Sequence, residues 1–115
     1  MAAQKNFEVD QNTTFSFVID YTDNNDLPIN LTGAAVKMQV RDTKGGSKLS
    51  FTLASQLDGI VVNGPLGKIT CTMTPAQTNK LFYPKSSYDI MITDSNNKKT
   101  KILEGFLTLS RSVTI

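Results

Sequence analysis

Apolar and polar residues alternate with a period of two through most of this chain, and this constrains the fold more than any other feature. Successive side chains of a strand point to opposite faces, so such a run buries one face and wets the other. Val36, Met38 and Val40 alternate with Lys37, Gln39 and Arg41. Leu49, Phe51 and Leu53 alternate with Lys48, Ser50 and Thr52, and Ile69, Cys71 and Met73 with Lys68, Thr70, Thr72 and Thr74. Phe15, Phe17, Ile19 and Tyr21 share a face opposite Thr14, Ser16, Val18 and Asp20. Ile60-Val61-Val62 is short and wholly apolar, Tyr88, Ile90 and Ile92 mark a further strand, and a last one runs from about Lys99 to Ser110. Alternation breaks at Ile102-Leu103 and Gly105 follows, which predicts a bulge or bend.

Turn chemistry separates these runs. Asp23-Asn24-Asn25-Asp26 with Leu27-Pro28, Asp42-Thr43-Lys44-Gly45-Gly46, Asp58-Gly59, Asn63-Gly64-Pro65-Leu66-Gly67 and Asp94-Ser95-Asn96-Asn97-Lys98 all carry residues that tolerate positive φ or cap their own backbone. About seven strands with turns at roughly 8–12-residue spacing predict an all-β fold, an immunoglobulin-like antiparallel β-sandwich. A small closed barrel is the rival. One helical signal interrupts the pattern: Thr74-Pro75-Ala76-Gln77 places a hydroxyl at the N-cap, proline at N1 and glutamine at N3. It predicts a short helix over 75–82 crossing between the two sheets. The 115 residues read as one domain, 1–115, with extended termini at 1–9 and 112–115.

Composition excludes function classes more readily than it selects one. The chain has no histidine, which removes the commonest general base and metal ligand, and its single cysteine permits no internal disulfide or thiolate cluster. A net charge of +2 is too small to imply a nucleic-acid partner. No apolar run approaches the ~20 residues that cross a bilayer, and no signal peptide opens the chain, so synthesis in a cytoplasm is expected. No glycine-rich phosphate loop follows a strand and opens a helix.

The candidate sites have simple structural readings. Cys71 falls on the same strand face as Ile69 and Met73 and reads as a small buried hydrophobe, since no histidine exists to activate a thiolate. Asp20 to Asp26 holds hard oxygen ligands suited to Ca²⁺, but it lacks the register and closing glutamate of an EF-hand loop and reads as a solvated turn. Glycoside hydrolysis needs two acids in one cleft; only Glu8 and Glu104 are glutamates, and Glu104 reads as a strand-face or interface group. Lys98, Lys99 and Lys101 form a basic cluster on a hairpin tip, where lysines also discourage edge pairing. Phe82, Tyr83 and Tyr88 do not have the spacing of a base-stacking platform. Asn12-Thr13-Thr14 and Asn30-Leu31-Thr32 match the glycosylation triplet, which without a secretory signal carries no weight. No catalytic residue, metal or cofactor is expected.

The order of features adds a family resemblance. Asp23-Asn24-Asn25-Asp26-Leu27-Pro28-Ile29-Asn30-Leu31-Thr32-Gly33-Ala34 runs at once into Val36-Lys37-Met38-Gln39-Val40-Arg41-Asp42 and then Gly45-Gly46. Later, Gly67-Lys68-Ile69-Thr70 leads through Thr74-Pro75-Ala76-Gln77 to Tyr88-Asp89-Ile90-Met91-Ile92-Thr93-Asp94. From Phe7 to Thr114 the chain resembles the small immunoglobulin-like modules of tailed-bacteriophage virions, best known as the N-terminal domain of baseplate upper proteins, although it has no long C-terminal extension. In the shared Leu-Thr-Gly element, Leu31 would anchor the loop in the core, Thr32 would bond locally and Gly33 would turn the backbone into the next strand. The resemblance implies a non-enzymatic structural protein of the virion, made in the host bacterial cytoplasm. Its partners would be other virion proteins of tail, baseplate or neck, met in several symmetric copies. A capsid decoration protein follows equally from this sandwich. The segments Ala2 to Val9 and Ser112 to Ile115 would be free to add a strand to a neighbour. A carbohydrate- or cell-surface-binding module is the reading from another class; the lack of tryptophan and the scattered tyrosines weigh against it.

Overall fold

The strands are seen in a computed structural model that describes residues 3–23, 25–41, 49–55, 59–81 and 85–110, with the backbone alone at 49–51. In chain order they are β1 (Ala3–Gln4), β2 (Phe7–Asp10), β3 (Phe15–Asp20), β4 (Ala35–Arg41), β5 (Leu49–Ala54), β6 (Ile60–Asn63), β7 (Lys68–Met73), β8 (Lys85–Thr93) and β9 (Lys99–Ser110). A one-turn helix, α1 (Pro75–Thr78), lies between β7 and β8.

These elements form a β-sandwich. The larger sheet runs β1-β9-β8-β4-β5 with β2 also on β9, and the smaller runs β3-β7-β6. Two separate sheets with open edges, rather than one closed on itself, decide against the barrel. The inner faces carry the residues that alternation marks: Val36, Met38 and Val40 from β4, Ile69, Cys71 and Met73 from β7, and Tyr88, Ile90 and Ile92 from β8. Each large apolar side chain buried here contributes about 1.5–3 kcal/mol by leaving water. The predicted irregularity is present: Ile90 pairs Leu103 while Met91 pairs Lys101, so Ile102 is the extra residue of a bulge.

Two expectations need correction. Residues 3–10 are not a free arm: β1 and β2 pair in parallel with β9, Ala3 opposite Leu103 and Phe7 opposite Leu107. The reason is burial, because this register puts Phe7 beside Leu107 and Val9 beside Leu109, and Val9 is 0% exposed. The helix is also shorter than 75–82. Thr74 accepts from the Gln77 amide and the Gln77 side chain accepts from the Thr74 amide, completing the capping box. The Lys80 and Leu81 amides then bond three residues back, to Gln77 and Thr78, and tighten the chain out of the α-helix. The Asp42–Gly46 connection, the Phe82–Tyr83 pair and the segment 112–115 lie outside the described residues.

Candidate functional site

The corner at Asn30–Ala34 is built as its residues imply. Leu31 is 4% exposed in the core cluster, and its amide donates to the Gly64 carbonyl at 2.8 Å. Asn30 Oδ1 accepts from both the amide and the hydroxyl of Thr32, and Gly33 adopts φ +81°, open to glycine without strain. A shallow concavity borders this corner, between Thr32 and Pro65.

The acidic loop spends its carboxylate on its own backbone. Asp23 Oδ1 accepts from the amides of Asn25 and Leu27, and Asp26 takes φ +60°. The β8–β9 turn repeats the device, with Asp94 Oδ1 accepting from Asn96 and Lys98 and Asn97 at φ +64°. In both, the aspartate side chain caps the backbone amides two and four residues on. Asp20 lies exposed, 4.0 Å from Lys68. Among the described residues no cluster of three or more histidine, cysteine or acidic side chains could hold a metal ion.

Cys71 is fully buried on β7 between Phe17 and Ile60, and burial pushes its thiol up to about 12. Tyr88 is buried as well; desolvation, then the nearby Cys71, raises its phenol, and its hydroxyl donates to the Lys5 carbonyl at 2.6 Å. The Cys71 thiol does not reach solvent to act as a nucleophile, and the Tyr88 hydroxyl is committed to the Lys5 carbonyl. Of the glycosylation triplets, Asn12 is in a φ +61° turn with its amide nitrogen buried, and Asn30 is held in the corner.

What the topology assembles is a face. On the outer side of the larger sheet, the register aligns Gln39, Asp89, Glu104 and Gln4 in one row across β4, β8, β9 and β1. The next row holds Arg41, Ser87 and Phe106. These rows enclose a depression of about 150 Å³, completed by Lys101 and, at the break between β1 and β2, by Asn6. Two carboxylates, Asp89 and Glu104, therefore come together although 15 positions separate them. Cations accompany them: Lys101 lies 3.8 Å from Asp89, and Arg41, which donates to Gln39 Oε1, shares the depression.

Gly105 shapes this region. A side chain there would run into the Lys5 carbonyl, which lies against β9 at that point and accepts from the Tyr88 hydroxyl. The Lys5 amide donates to Glu104 O and the Phe106 amide to Asn6 Oδ1, so the break in the first strand is bonded on both sides. Phe106 and Asp89 were not recognisable as site residues from local pattern, since only the β8–β9 and β4–β8 registers make them neighbours of Gln39 and Gln4. Of the basic cluster, Lys101 joins the depression while Lys98 and Lys99 stay exposed at the hairpin end. No protein-family model and no curated protein sequence matches the chain.

Proposed function

We propose that the chain is a non-enzymatic structural protein of a tailed-bacteriophage virion that docks on tail, baseplate or neck proteins. The observation that carries this reading is the Asn30–Ala34 corner. Leu31, Thr32 and Gly33, on which the resemblance to virion modules turns, each do the structural work that such a module requires of them. The sheet edges support a docking role. Among the described residues β3 and β6 each pair only with β7, leaving one side of each strand open to a partner's backbone. Val18 and Val61 flank Thr70 on the same outer face, Val61 being 71% exposed, and add apolar surface beside those edges. Residues 3–10 are already paired with β9, so a strand from that segment is not available to a neighbour.

Quantitative mass spectrometry of purified particles tests the reading. About 3–18 copies per particle would fit a tail or neck ring, and on the order of hundreds a capsid decoration protein, since closed symmetry sets these numbers. Absence of the protein from the particles refutes both.

A further inference from the structure

The depression on the outer face of the larger sheet has a lining of balanced charge: Arg41 and Lys101 stand with Asp89 and Glu104. Such a lining gives no net attraction to an anion or a cation. Its remaining polar side chains are the amides of Gln4, Asn6 and Gln39 and the hydroxyls of Ser87 and Tyr88, the last already donated to the Lys5 carbonyl, and they offer donors and acceptors side by side. The Gln39 and Asn6 carbonyl oxygens are engaged by Arg41 and by the Phe106 amide, and their NH₂ groups are left as donors. Phe106 supplies an apolar wall. Phe106 lines the depression and is 37% exposed; Lys85 Nζ covers one face of its ring at 4.0 Å from the centroid, and Lys85 itself does not line the space, so the sugar would take the other face. A volume near 150 Å³ is about what one six-membered ring occupies.

A pyranose matches each of these properties, with an apolar C–H face, a rim of hydroxyls that both donate and accept, no charge and a single ring. We propose that the depression binds one neutral pyranose residue of a glycan, its C–H face on Phe106 and its hydroxyls on Gln39, Ser87 and Asn6. This inference does not rest on the virion reading, because a glycan site and a place in a particle are measured separately.

Amide proton–nitrogen correlation spectra of the full chain, titrated in turn with glucose, galactose, N-acetylglucosamine and N-acetylgalactosamine, test it. At least one sugar is expected to shift signals at Gln39, Ser87 and Phe106 with a Kd of about 1 mM, the range open to so small a ligand. Phe106→Ala and, separately, Gln39→Ala should each weaken binding about tenfold with the spectrum otherwise native. Val61→Ala, on the outer face of the other sheet, should bind as the unaltered chain does. The proposal is overturned if none of the four sugars shifts any signal, or if the shifts centre on the Leu31–Pro65 corner. It is equally overturned if both weakening variants bind normally, or if only a charged sugar such as glucuronate binds.

Discussion

Replacing Gly105 by alanine tests how the first strand is fastened to the last. A Cβ at this position meets the Lys5 carbonyl far inside van der Waals contact, and the obstacle is backbone, which cannot rotate away as a side chain could. The carbonyl must move, and it is the acceptor of the buried Tyr88 hydroxyl at 2.6 Å. Overpacking costs about 1–3 kcal/mol, and a buried hydroxyl left without its partner a further ~1–3 kcal/mol. A loss of about 3 kcal/mol is therefore expected. For 115 residues, an unfolding entropy of roughly 2.1 cal/mol/K per residue turns this into a Tm lowered by about 12 °C. Urea unfolding of the wild type, Gly105→Ala, Tyr88→Phe and the double variant closes a cycle. In the Tyr88→Phe background the carbonyl has no hydroxyl to lose, so Gly105→Ala should cost about 1–2 kcal/mol less. Gly105→Ala within ~0.5 kcal/mol of wild type, or an equal cost in both backgrounds, would refute the reasoning.

Other consequences are checked by similar means. Deleting residues 1–10 removes Phe7 and Val9 from their places beside Leu107 and Leu109, so the shortened chain should melt well below the intact one by circular dichroism rather than lose only an arm. Leu31→Ala should cost about 2–4 kcal/mol in chemical denaturation, because the side chain is buried at a corner whose backbone is pinned to Gly64. Thr74→Ala removes the hydroxyl that accepts from the Gln77 amide, leaves the backbone amide at 74 on the Gln77 side chain, and should cost about 1 kcal/mol. Cys71 keeps its proton to about pH 12 when folded, against an ordinary value of 9.0, so the folded state binds more protons between those limits. Stability should be undiminished by this group below pH 9 and should fall above it, by at most about 1.4 kcal/mol per pH unit for one proton. Cys71→Ala should flatten that fall, leaving the smaller slope that Tyr88, raised in the same sense, adds above pH 10.

Much of this molecule is written locally. Most strands from β3 to β9 follow from the period of two, β6 from a short apolar run between turns, the bulge at Ile102 from one break in the period, and the turns at Asp23 and Asp94 from side chains that bond their own backbone. The cap at Thr74 is equally legible, since its partners lie three residues apart, and so is the Asn30–Thr32 bond, whereas the burial of Leu31 is expected from the family resemblance and its amide partner, Gly64, is far along the chain. β1 and β2 were hidden for the opposite reason. Ala3–Gln4 is too short and too exposed to show a pattern, and Phe7-Glu8-Val9-Asp10 alternates for only four residues. Their place depends on the open edge of β9, about a hundred positions later in the chain.

The candidate site divides in the same way. Glu104 and Lys101 stand out by residue type, but their meeting with Asp89, Gln39 and Phe106 is a matter of register between strands. By itself the sequence determined which residues face inward and where the chain turns, because both are decided by side-chain direction and nearest-neighbour bonding. The tertiary structure alone decided which strands lie side by side, that residues 3–10 close onto the last strand, and that Tyr88 reaches Lys5 across 83 positions. Such contacts draw their stability from burial shared between distant segments, and no local window contains both partners.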